Sequence, residues 1–122
     1  MTDKRIVLCT CGSEAEAAKI ARHLVEHQLA ACVNIVPRIQ SIYRWQGKVE
    51  SSHEWLLLIK TTAEKFDDVR DAIRELHSYD LPECAALAIE DGSSEYLGWI
   101  GEFRRKQLAT DLHGFSRISW DS

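Results

Sequence analysis

Residues 29–47, LAACVNIVPRIQSIYRWQG, decide how this chain folds. Residues 31–36 are apolar and β-branched enough for a strand, and beyond Pro37 the pattern alternates. Ile39, Ser41, Tyr43 and Trp45 fall on one face, with Gln40, Ile42, Arg44 and Gln46 on the other. Pro37 has no amide hydrogen to give to a ladder, which predicts a bulge, an edge or a break at that point. Gln46-Gly47-Lys48 supplies a turn, with glycine available for a positive φ. The chain then returns through His53, Glu54 and the run WLLLI at 55–59. A run apolar at every position predicts a central strand buried on both faces.

The flanking segments fit around this hairpin. Residues 5–11 form a short apolar first strand. Ser13 and Glu16 have capping-box spacing, in which each side chain satisfies an orphan amide of the other's residue. Behind them Ala17, Ile20, Ala21, Leu24 and Val25 recur at helical spacing, so a first helix is predicted over 14–27. Thr61 and Glu64 repeat the capping-box spacing. Phe66, Val69, Ala72, Ile73 and Leu76 make the stripe of a second helix ending near His77. Residues 80–83 read as a loop, 84–90 as a final core strand, and 95 to about 108 as a third helix.

The order β-α-β-β-α-β plus a terminal helix predicts an α+β, ferredoxin-like sandwich with an extended hairpin and a C-terminal helix. Two helices would cover one face of the antiparallel sheet. Tyr43, Trp45, Trp55 and Leu57 would be left on the other, and an exposed apolar sheet face usually marks an interface. Oligomerisation is therefore expected.

At 122 residues the chain reads as one domain, with residues 1–104 as its body and 105–122 as a C-terminal extension. A formal net charge of −4 argues against a nucleic-acid or anionic-membrane binder, which needs a basic face. Arg104-Arg105-Lys106, the one basic cluster, reads as a solvated helix end. No run approaches the roughly 18 apolar residues of a membrane span. The first residues, MTDKRIVLCTC, lack the apolar length and small-residue site of a signal peptide, so a cytoplasmic protein is expected. Cys9, Cys11, Cys32 and Cys84 show no CxxC spacing and would be free thiols in a reducing compartment. Cys9 and Cys11, at i and i+2, share one strand face and suit either a soft metal such as Cu(I) or plain burial as small hydrophobes.

Several segments together resemble the CutA family, named for divalent-cation tolerance. They are LAACVNI at 29–35, P-x-x-x-S-x-Y-x-W-x-G at 37–47, E-x-x-L-x-I-K-T at 54–61, H-x-Y-x-x-P-E at 77–83 and Y-L-x-W-I at 96–100. The resemblance implies a ferredoxin-like subunit in a tight homotrimer, similar in architecture to the PII signalling proteins, with the long hairpin strands pairing between subunits. Cys11 departs from the family pattern, as does Ser78 between His77 and Tyr79, and the tail beyond Arg104 has no counterpart. Phe115, Ile118 and Trp120 in that tail suggest that it docks.

In family terms Cys9 and His77 match proposed copper ligands, and thiolate with imidazole suits copper. His77 also fits a helix-end residue meeting the C-terminal dipole. A second constellation in the family pattern is Ser41, Tyr43, Trp45, Lys60, Tyr79 and Glu83, with Cys32 and Asn34 nearby. Aromatic walls with a few convergent polar groups are how small-ligand pockets are built. The same residues also suit a subunit interface. Nothing in the sequence supplies an activated nucleophile, a phosphate loop or a closed metal site. The expected function is a divalent-cation (copper) tolerance protein working as a trimeric, non-enzymatic binding or regulatory module, with no required cofactor beyond possible copper or another divalent cation. Direct copper binding through Cys9 and His77 is one alternative. An enzyme or metabolite sensor using an intersubunit cleft at Lys60 and Glu83 is the other.

Overall fold

The hairpin read from residues 29–47 is the longest feature of the fold. In the computed structural model, which describes residues 2–103, β2 (Cys32–Trp45) and β3 (Lys48–Thr62) pair antiparallel along almost their whole length. They join β1 (Lys4–Cys11) and β4 (Ala85–Ala88) in one antiparallel sheet of order β2-β3-β1-β4. This is the ferredoxin-like strand order, and β3 is central, as its unbroken apolar run predicted. The turn closes on the Trp45–Lys48 pair with Gln46 at φ 51° and Gly47 at φ 80°. Two positive φ values in a two-residue loop match the right-handed twist of the flanking strands.

Pro37 lies in a bulge on the edge strand. Val36 pairs with Leu56 and Ile39 with Glu54, so Pro37 and Arg38 together oppose Trp55 alone. Arg38 takes a left-handed conformation, φ 52°, to absorb the extra residue. The consequence is a switch of parity. Before the bulge Cys32, Asn34 and Val36 share a face with Lys60, Leu58 and Leu56; after it Ile39, Ser41, Tyr43 and Trp45 hold that same face.

The helices α1 (Glu14–Glu26) and α2 (Phe66–Leu76) cover the opposite face. Val7, Cys9 and Cys11 of β1, Leu57 and Ile59 of β3, and Ile20, Leu24, Val69 and Ile73 of the helices form its fully buried core. Leu57 therefore belongs to the helix side, and Trp55 packs against the same core, not on the bare face expected for both. Cys11 pairs with Trp55 and Cys9 with Leu57, which fixes their common side. The bare face instead carries Ile6, Leu8, Leu56 and Leu58, all half-buried. The third helix, α3 (Ser94–Glu102), contacts β1 and β3, and its buried Ile100 stands outside the core cluster between sheet and helices. It thus covers part of a face expected to be open.

Local capping differs in detail. The Ser13 hydroxyl accepts the Glu16 amide at 3.1 Å, as predicted. The Glu16 carboxylate does not return the bond; it accepts the amide and hydroxyl of Ser78 at 2.7 and 3.2 Å, tying α1 to the loop after α2. Thr61 donates to the Leu29 carbonyl at 2.7 Å, and a 3-10 turn, Ala63–Lys65, leads into α2 instead of a capping box. β4 is shorter than the run 84–90, although the Ile89 amide still donates to the Lys4 carbonyl at 3.1 Å. α3 ends at Glu102 with Phe103 as its C-cap, short of the end expected near Leu108; the basic cluster at 104–106 and the docking of Phe115, Ile118 and Trp120 lie outside the described residues. Among the described residues no helix is long and apolar enough to cross a membrane.

Candidate functional site

β1 ends at Cys11, opposite Trp55, so the seven pairs from Ile39–Glu54 to Trp45–Lys48 extend past it as a two-stranded ribbon. At the strand rise this ribbon is about 23 Å long. Where it leaves the sheet, the loop after α2 folds beside it and encloses an open cleft of about 790 Å³. Ser41, Tyr43 and Trp45 form its ribbon wall, Tyr79, Pro82 and Glu83 its loop wall. Thr10, Ser52 and Glu54 also line it, as do Asp80 and the exposed Leu81.

Glu54 anchors this arrangement. It is buried to 8% exposure, and Tyr79 Oη donates to its Oε2 at 2.8 Å. Burial and the hydrogen bond to the carboxylate hold the Tyr79 phenol well above its ordinary range, so it stays a donor. Gly12 makes room for the ring: a Cβ there would stand 2.9 Å from Tyr79 Oη.

His77 sits directly beneath the loop, with its side chain fully enclosed. Its Nδ1 accepts the Tyr79 amide at 3.1 Å. Nε2 therefore carries the proton and donates to the Thr10 carbonyl at 2.7 Å. Glu16 Oε1, 3.9 Å from Nδ1, is too far for a hydrogen bond and has no proton between. His77 is thus a doubly bonded core histidine that also caps α2, its amide donating to the Ile73 carbonyl at 2.9 Å.

The same ring adjoins two thiols. Donor atoms of Cys9, Cys11 and His77 all lie within 4.8 Å of one another, the one such cluster of three among the described residues. The hydrogen bond with Cys11, together with burial, pushes the Cys9 thiol far above its ordinary value, and burial also raises Cys84. The soft donor set fits a copper ion in kind, but the Cys9 thiol holds its proton and both nitrogens of His77 are engaged.

The structure therefore divides the residues singled out in the sequence. Ser41, Tyr43, Trp45, Tyr79 and Glu83 meet in the cleft. Cys9 and His77 meet beneath it. Lys60, Asn34 and Cys32 stand apart: Cys32 pairs with Lys60, whose ammonium donates to Asn34 Oδ1. Lys60 is six residues along β3 from Glu54, about 20 Å away, so one chain does not bring Lys60 to Glu83. Glu54 and Thr10 were missed as site residues. Glu54 shares strand parity with Lys60, but its burial depends on Tyr79, which arrives from another element. Cys11 was recognised as sharing a face with Cys9, though not as a third neighbour of His77.

A ferredoxin-like domain with a projecting ribbon and an aromatic–acidic cleft at its base is the class this geometry defines. Residues 5–103 match the family described as CutA1 divalent ion tolerance protein, and the chain belongs to that family. It is 50% identical over 99 residues to the divalent-cation tolerance protein CutA of Thermus thermophilus, covering 81% of this chain and 96% of that one. It is 45% identical over 91 residues to human protein CutA, covering 75% of this chain but only 51% of the human protein. The solved structure of the Thermus protein superposes with a TM-score of 0.80, over 81% of this chain and 96% of that one. That of a protein titled as periplasmic divalent cation tolerance protein CutA from Archaeoglobus fulgidus superposes with 0.81 at 43% identity, over 84% and 99%.

The raised groups give a pH prediction. Cys9 and Tyr79 hold their protons in the folded chain beyond their ordinary values of 9.0 and 10.0. Above about pH 9 the unfolded chain sheds protons that the folded chain keeps, so stability falls as pH rises. Denaturant midpoints should be level up to about pH 9 and decline beyond it, with a shallower decline in Cys9→Ala. An identical slope in the variant would remove Cys9 from the account.

Proposed function

We propose that the protein acts in divalent-cation tolerance as a homotrimeric, non-enzymatic binding and regulatory module responding to metal ions. The ribbon is the observation that supports this. Ile42, Tyr43, Trp45 and Val49 on it are 68, 43, 53 and 67% exposed. An isolated two-stranded hairpin is marginal in water. Covering such half-exposed side chains contributes on the order of 1–2 kcal/mol each. Packing against another copy supplies both the missing neighbours and the burial. The stoichiometry of three and the PII-like arrangement come from the family resemblance. Four cysteines without a disulfide support a reducing, cytoplasmic setting, although one relative is titled periplasmic and an Arabidopsis thaliana relative is named chloroplastic. Native mass spectrometry at micromolar concentration should give one trimeric species that survives chelator treatment. Trp45→Ser combined with Ile42→Ser should shift it toward monomer. A monomeric wild type would overturn the proposal.

A second function, direct copper binding, is favoured by the convergence of Cys9, Cys11 and His77. Two thiolates and an imidazole suit Cu(I). Ligation would expel thiol protons and displace the Tyr79 amide from His77 Nδ1, so affinity should rise with pH. Competition titration of the reduced protein with Cu(I) should show one ion per chain, lost in Cys9→Ala, Cys11→Ala and His77→Ala. Unchanged affinity in the double variant Cys9→Ala/His77→Ala would discard this function.

A further inference from the structure

We propose that the cleft at the ribbon base is a binding site for a small organic cation, a ligand carrying a quaternary or primary ammonium group. This names a ligand class for the binding module proposed above and rests on that assignment. Three observations converge on it. The cleft, about 790 Å³, has the size of a small-ligand site. Its charged lining is all of one sign: Glu54, Asp80 and Glu83, with no lysine, arginine or histidine. Its walls are aromatic, with Tyr43 and Trp45 on the ribbon and Tyr79 on the loop. The negative faces of such rings attract a cation, most strongly where water is excluded.

Glu54 makes this a built site rather than an acidic surface. It is more than nine-tenths buried, and a buried carboxylate needs compensation. Tyr79 donates to its Oε2 at 2.8 Å, and Glu54 lines the cleft. An ammonium group placed there would complete the charge balance while its carbon substituents met the rings. A bare metal ion is the poorer occupant. Hard cations demand several oxygens at close range, and Glu54, Asp80 and Glu83 do not converge on a common point as Cys9, Cys11 and His77 do. Within one chain the cleft is also held open structurally, since Glu54, Tyr79 and Gly12 fix the loop wall against the sheet.

The test compares choline with its neutral isostere 3,3-dimethyl-1-butanol, by calorimetry and ligand-observed NMR on the full-length assembled protein. Choline should bind at least about tenfold more tightly than the alcohol. Glu54→Gln keeps an acceptor for Tyr79 but removes the charge, and should weaken choline about tenfold while leaving the alcohol unchanged. Trp45→Leu should weaken choline as well, in samples whose native mass spectra show the assembly intact. Equal binding of the two probes, no binding of choline, or choline affinity unaltered in Glu54→Gln would each overturn the proposal. Native mass spectra of the same samples separate the two failures. An intact trimer that ignores choline sinks the ligand site and leaves the module standing. If Glu54→Gln dissociates the oligomer and wild type ignores choline, the cleft holds a basic side chain of another copy, and the small-cation proposal falls.

Discussion

Two residues of β2 opposing one of β3 is the constraint on which the rest of this structure depends. Pro37 cannot give a ladder hydrogen bond, and Arg38 accepts a left-handed backbone so that the pair together face Trp55. Strand side chains alternate with a period of two, so one extra residue moves every later side chain to the other face. Without it, Ser41, Tyr43 and Trp45 would project from the helix-bearing side of the sheet. With it, they stand over Glu54 on the face that the loop 79–83 reaches, and a cleft exists.

The two candidate sites share one support. His77 closes α2 and bonds Thr10 of β1, while its other nitrogen fixes the Tyr79 amide. Glu16 of α1 holds Ser78 between them. Tyr79 then reaches Glu54 past Gly12. The network places His77 near two thiols on the buried face and Tyr79 on the cleft face. Taking His77 as a ligand would loosen the segment that forms one wall of the cleft. Metal binding beneath and ligand binding above would therefore be coupled through the same three residues, 77–79.

The elements were legible where one local rule decided them. Pro37 allowed a bulge, an edge or a break and lies in a bulge of the edge strand; the central strand followed from the run 55–59, and the helices from their apolar spacing. Legibility failed where a side chain had two possible partners. Glu16 had the spacing of a reciprocal cap, yet Ser78, sixty-two residues away, offered two donors and won. Trp55 and Leu57 were assigned to the bare face because a run apolar at every position carries no alternation; only pairing with Cys11 and Cys9 sets their side. Glu54 escaped notice because its burial is made by a tyrosine from a distant loop.

The central claim is that the ribbon of residues 39–45 and 48–54, displaced by the bulge onto the cleft face, is buried against another copy. Amide hydrogen exchange along it measures this most directly, since a solvated hairpin opens easily and a docked one does not. The account predicts strong protection of ribbon amides at high protein concentration, lost on dilution below the assembly range while β1 and β3 core amides stay protected. Fast exchange of the ribbon at every concentration would contradict it.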